Sequence, residues 1–139
     1  MERVYGTCVA INGKAVLFRG PSGSGKSDLA LRVIEAGGQL VADDQTVLTR
    51  ESERLVATCP DPISGQIEVH GIGIVPVDTV RRAPLALVMD LVPPEQVERF
   101  PEPGRCSYLD IEIPLLNIAP FEISAAAKVR LALSFEEKP

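Results

Sequence analysis

Tryptophan is absent, and aromatic residues make up only 4% of the 139 positions, so no platform for stacking successive bases is evident. Basic residues are outnumbered by acidic ones, 14 to 19, for a net charge of −5. Without a basic stripe to neutralise a phosphate backbone, a nucleic-acid partner is not expected. No apolar run approaches the roughly 18 residues of a membrane span, and the N-terminus lacks the charged-then-apolar pattern of a secretory signal. Membrane partners are therefore not expected either. The three cysteines (Cys8, Cys59, Cys106) are odd in number and lack metal-ligand spacing, as expected of reduced thiols in a cytoplasmic protein. Histidine occurs once, at His70. With 45% hydrophobic and 24% charged residues, the composition is that of a globular chain whose length suits one domain, residues 1–139.

What is present is a complete phosphate-binding loop. Residues 20–27 read GPSGSGKS, that is Gly20, Pro21, Ser22, Gly23, Ser24, Gly25, Lys26 and Ser27. The glycines allow consecutive backbone N–H groups to turn inward around an anionic phosphate chain. The lysine reaches the β- and γ-phosphates, and the serine hydroxyl ligates Mg²⁺. Context strengthens the match: an apolar run at 15–18 precedes the loop, and a helical pattern over 28–36 follows it. The phosphates would thus also meet a helix N-terminus. A nucleoside triphosphate is the expected ligand.

Asn12-Gly13 joins apolar runs at 5–11 and 15–19, the strongest short signal for a two-residue hairpin. The phosphate loop therefore follows the second strand of an antiparallel hairpin. Gly37-Gly38 ends the helix, and 39–42 reads as a buried strand running into Asp43 and Asp44. Stretches 46–48 and 55–58 flank a charged tip and predict a second hairpin; Cys59 to Pro62 marks a loop. Alternation from Ile67 to Val77 predicts a glycine-interrupted strand, and 85–89 a central strand ending at Asp90. A short helix over 93–99, a loop over 101–104 and one or two strands over 108–118, broken by Pro114, follow. Ser124 caps a last helix with Ala126, Val129 and Leu133 on one face. These elements predict an α/β fold with a mixed, partly antiparallel sheet around one phosphate-binding helix.

Turnover requires a carboxylate for Mg²⁺ and, for transfer to a hydroxyl, a base. Two strand ends offer acids near the loop: Asp43-Asp44 and Asp90. The pair Asp43-Asp44 is the more suggestive, because a neighbouring anion and a nearby triphosphate oppose ionisation and suit one carboxylate to act as a base, although either strand end can also be read as an ordinary turn. Glu68 has no distinguishing local pattern.

The ordered combination of residues 20–27, the LVADD of residues 40–44 and the IEVHGIGI of residues 67–74 resembles the catalytic domain of bacterial HPr kinase/phosphorylase, in its short alphaproteobacterial form. The resemblance implies an HPr kinase-like phosphate-loop fold and transfer of phosphate from ATP, with Mg²⁺, to a serine of the phosphocarrier protein HPr. It also implies phosphorolytic dephosphorylation and a homo-oligomer, commonly a hexamer. Carried onto this chain, Lys26 binds phosphate, Ser27 and Glu68 hold Mg²⁺, and Asp43 is the base forward and the acid in reverse. Arg99 matches a family arginine.

Two positions and one segment depart from the family pattern. Tyr5 stands where a histidine is usual, and a phenol shuttles protons near neutral pH far less readily than an imidazole. His70 replaces an arginine, and residues 118–124 carry no arginine where the family has them. Each change removes cationic or proton-shuttling capacity, and phosphorolysis is the activity expected to suffer. A nucleotide-binding regulator of the same fold with weak transfer is the alternative reading, and a small-molecule kinase the third.

Overall fold

Asn12 and Gly13 both take positive φ, 52° and 80°, the backbone that a two-residue hairpin turn requires. The computed structural model describes residues 1–60 and 65–136. Around that turn β2 (Thr7–Ile11) and β3 (Lys14–Arg19) pair antiparallel, preceded by β1 (Glu2–Tyr5). The expected run over 5–11 is split at Gly6. A Cβ there would stand 2.7 Å from the Phe18 carbonyl oxygen, so the chain passes β3 too closely for any side chain. Helix α1 (Lys26–Glu35) follows the loop and closes as expected at Gly37-Gly38, with the Gly38 N–H on the Val33 carbonyl at 3.0 Å.

Next come β4 (Gln39–Ala42), the hairpin of β5 (Gln45–Glu51) and β6 (Arg54–Thr58), and a small separate hairpin of β7 (Gln66–Val69) and β8 (Gly73–Pro76). Of the Cys59–Pro62 loop, Asp61 and Pro62 lie outside the described residues. The long β9 (Arg82–Leu91), β10 (Gly104–Tyr108), β11 (Ile111–Ile118) and α2 (Ala125–Glu136) complete the order.

Seven strands lie in the order β1-β5-β6-β9-β3-β2-β4, and β10 joins this sheet through β11, which pairs with β9. Strand β9 is the branch point. Its residues 82–84 pair antiparallel with β6, while residues 88–91 pair parallel with β11. On its other side β9 runs parallel to β3. The mixed α/β sheet expected from sequence is thus the architecture observed.

Alternation along β3 feeds two cores. Val16 and Phe18 pack with Leu29, Val33, Leu87, Met89 and Ile67 on the helical face. Ala15 and Leu17 pack with Leu48, Leu55, Val88 and Ile113 on the opposite face. Helix α2 buries Ala125, Val129 and Leu133, spaced by four, so Ala125 takes the core position expected of Ala126. The two buried polar side chains among the described residues are both bonded: the Thr46 hydroxyl donates to the Gly6 carbonyl at 3.1 Å, and Thr7 serves the site. Cys8, Cys59 and Cys106 are free, and burial pushes the Cys8 thiol far above its ordinary pKa. Among the described residues no helix is long and apolar enough to cross a membrane.

Three expectations are corrected. Residues 67–77 form not one strand but a hairpin, because the turn at His70-Gly71 closes on an Ile72 N–H to Val69 carbonyl bond of 3.0 Å. The helix expected over 93–99 is one 3₁₀ turn, Pro94–Gln96, after which Val97 is already extended. Pro114 does not break β11. It lies where only β10 pairs with β11, so its missing N–H costs the sheet no bond to β9.

Phe18 is fully buried in β3. Phe18→Ala should lose about 3–5 kcal/mol of unfolding free energy in urea titration. A loss below about 1 kcal/mol would mean that the helical-face core does not depend on this ring.

Candidate active site

The strands β3, β9 and β11 are parallel and finish side by side, with Arg19 opposite Asp90 and Leu91 opposite Ile118. Ligands of α/β sheets gather at such carboxyl edges. From Arg19 the chain turns through the phosphate loop into α1, whose N-cap is Gly25 at φ 101° with no side-chain cap. The helix therefore offers its first-turn N–H groups to the loop's concave side. The Lys26 ammonium donates to the carbonyls of Gly20 (2.7 Å) and Pro21 (3.1 Å), which places its charge across the loop.

Strand β4 delivers Asp43 to this point. Its Oδ1 accepts from the Ser27 hydroxyl at 2.8 Å and from the Thr7 hydroxyl at 3.0 Å. Thr7, fully buried on β2, also accepts from the Asp44 N–H at 3.3 Å, while Asp44 itself takes φ 68°. One hydroxyl thus ties the double aspartate to the central hairpin. The β7–β8 hairpin supplies the facing wall. Ile67 is buried against α1 in the core, and Glu68 and His70, two residues apart on β7 and its turn, both line the cleft. The cleft has a volume of about 420 Å³ and brings together Ser22, Gly23, Gly25, Lys26 and Ser27 of the loop with Asp43, Asp44, Glu68 and His70.

Three carboxylates therefore share a space with Lys26 and His70. Among the described residues no group of three or more His, Cys, Asp or Glu side chains could hold a metal unaided. A Mg²⁺ ion would need only one or two of these carboxylates, since it completes its shell with phosphates and water.

Other candidates fall elsewhere. Asp90 forms a bidentate pair with Arg19 (2.6 and 2.9 Å), and Arg19 also donates to the Tyr108 hydroxyl at 2.9 Å. The alternation of β3 puts this cluster on the sheet face opposite α1, and Asp90 does not line the cleft. The bond to Asp90 pushes the Arg19 pKa well above its ordinary value. Arg99 lies past the 3₁₀ turn with its guanidinium 5.5 Å from the Phe100 ring centre, and it does not line the cleft. Tyr5 is 74% exposed at the end of β1, opposite Gln45, and is likewise outside the lining.

Two lining residues had no local signal: Thr7 and Phe121. The Phe121 ring lies 2.9 Å from where a Gly25 Cβ would stand, so Gly25 is required both by its φ and by the ring above it. Arg32 of α1 holds this segment by donating to the carbonyls of Pro120 and Glu122, while pairing with Asp28 at 3.1 Å.

The family model for the HPr serine kinase C-terminal domain matches residues 1–120. The HPr kinase/phosphorylase of Geobacillus thermodenitrificans (strain NG80-2) is 35% identical over 83% of this chain. That of Limosilactobacillus reuteri (strain DSM 20016) is 41% identical over 57%. The chain spans only 41% and 25% of these two proteins' lengths. Among solved structures, the Hpr(Ser) kinase/phosphatase from Coxiella burnetii superposes with a TM-score of 0.85 at 29% identity, covering 99% of this chain and 100% of that one.

Because Arg19 and Asp90 bond each other on the far face, they should act as one unit. Asp90→Asn and Arg19→Gln should each lower the thermal unfolding midpoint, and the double variant should be no worse than the poorer single one. Strictly additive losses would show that the pair is not coupled.

Proposed function

The chain belongs to the HPr serine kinase family, and from that membership we propose that it transfers the γ-phosphoryl group of Mg·ATP to a serine of HPr. We treat residues 1–139 as one catalytic domain. The observation that carries the reading is the bond of 2.8 Å between Ser27 and Asp43, beside Lys26 and facing Glu68. It joins a metal-ligating hydroxyl and a candidate base at one end of one phosphate loop.

Phosphoryl transfer asks a protein for positioning and charge compensation. The loop N–H groups and Lys26 hold the phosphate chain, with Lys26 exchanging two carbonyl oxygens for phosphate oxygens. Ser27 and Glu68 would hold Mg²⁺, which neutralises phosphate charge when bound. Asp43 accepts the proton of the serine hydroxyl as the new O–P bond forms and the bond to ADP breaks. In reverse it returns that proton. Two hydroxyl donors on Oδ1, Thr7 and Ser27, fix the plane in which Asp43 presents its carboxylate.

Lys26→Ala should cut phosphorylation of purified HPr at least about a hundredfold without unfolding the chain, since Lys26 faces the cleft. Asp43→Asn should cost far more turnover than Asp90→Asn while leaving ATP binding largely intact. Wild-type turnover in Lys26→Ala, or equal losses for the two aspartates, would overturn these roles. Tight ATP binding without transfer to HPr would favour the regulatory reading, in which Lys26 stays on its loop carbonyls.

Forward transfer should exceed phosphorolysis. Two unit charges about 4 Å apart at an effective dielectric of 20 repel by roughly 4 kcal/mol, so phosphate beside phosphoserine needs cations. Lys26 is the permanently cationic side chain among the described residues of the cleft, against Asp43, Asp44 and Glu68, with His70 where the family has an arginine and Phe121 presented by the 118–124 segment. Tyr5, outside the lining, drops out of this comparison. Initial rates on HPr with ATP and on phosphoserine-HPr with phosphate test the direction. His70→Arg should raise the reverse rate more than the forward one; a reverse rate at or above the kinase rate would refute it.

A further inference from the structure

A second cleft, of about 520 Å³, adjoins the phosphate loop. Pro21 and Ser24 of the loop form one wall, Val92 and Pro93 beyond β9 another, and Pro120 and Phe121 beyond β11 the third. Phe121 also lines the carboxylate cleft, so the two spaces share this residue as a wall. Their chemistry is opposite: the carboxylate cleft is charged, whereas this one is walled almost wholly by apolar surface.

We propose that this second cleft seats the base of the nucleoside triphosphate, with Phe121 packed against the ring. The inference rests on the reading that the loop holds a polyphosphate. Phosphates gripped there bring a flat, largely apolar heterocycle within one sugar of the loop. The charged cleft disfavours such a group, and the apolar slot accepts it. The volume lies within the range of small-ligand pockets.

Phe121 is suited to the task because its backbone is anchored while its ring is 71% exposed. Arg32 accounts for the anchoring, donating to the carbonyls on both sides, and Lys128 pairs with Glu122 at 2.8 Å. An aromatic face held in place before binding loses little freedom on contact. The polar groups of the wall are few. Glu122 is engaged by Lys128, and the Ser24 hydroxyl is buried with no hydrogen-bond partner. Recognition is therefore by stacking and burial, which nearly any base satisfies. The chain depends on having a base and discriminates weakly among bases.

Calorimetric titration of the full chain with MgATP, MgGTP and magnesium tripolyphosphate tests this. The wild type should bind ATP at least about tenfold tighter than tripolyphosphate, equivalent to about 1.4 kcal/mol. GTP should lie within about threefold of ATP. Phe121→Ala should weaken ATP about tenfold and leave tripolyphosphate within about twofold, and Phe121→Tyr should restore ATP binding. Equal wild-type affinity for ATP and tripolyphosphate overturns the base site while sparing the phosphate loop. So does a Phe121→Ala loss shared by both ligands. A preference of more than about tenfold between ATP and GTP overturns recognition by an apolar slot. Failure of both ATP and tripolyphosphate to bind overturns the loop reading and this inference with it.

Discussion

Parallel pairing of β3 with β9 is the constraint from which the rest of the molecule follows. Both strands are buried on both faces, so neither can slip by one residue without moving a row of apolar side chains into the wrong core. The pairing brings Arg19 opposite Asp90, and their bidentate bond locks the last rung on the face away from α1. The phosphate loop begins at the next residue. Its position is therefore set by the sheet's register and by an ion pair that never touches the cleft.

The remaining site residues hang on this frame by hydroxyls. Thr7 enters on β2, which the Asn12-Gly13 turn aligns with β3, and Ser27 enters on the first turn of α1. Both donate to one oxygen of Asp43, which arrives from β4. Three elements thus meet at a single carboxylate oxygen. Buried or half-buried polar contacts of this kind are costly to leave unmade, so they fix orientation more firmly than an exposed ion pair would.

How much of this could be read from the chain depends on how local the signal was. Residues 20–27 and Asn12-Gly13 act through backbone geometry within a few positions, and both were legible with their flanking elements. Asp43 was legible as an acid at a strand end, but so was Asp90. Only the register of β3 against β9 shows that Asp90 faces Arg19, and alternation along β3 then decides the face. The β7–β8 hairpin was misread because apolar alternation continues through its turn, with Gly71 and Gly73 equally consistent with a bulged strand. Arg99 was carried over by resemblance across a segment that folds as a 3₁₀ turn and a loop, where position along the chain no longer specifies position in space. Thr7 and Phe121 join the site through partners 36 and about a hundred residues distant, and no short pattern marks either.

The β11–α2 link shows how a distant segment shapes the surroundings of the loop. A cation at the place of Phe121 would draw phosphate toward the carboxylates from a second side. An aromatic ring there leaves Lys26 as the permanent cation of the cleft and instead extends apolar surface beside Pro21 and Pro93. Arg32, which reaches this segment from α1, is engaged by backbone carbonyls and Asp28, so its charge serves to hold the ring rather than to bind an anion. The same few residues that remove a reason to bind free phosphate add a reason to bind a nucleoside. If the proposed base site and the proposed preference for forward transfer both hold, they are two consequences of one exchange of charge for apolar area.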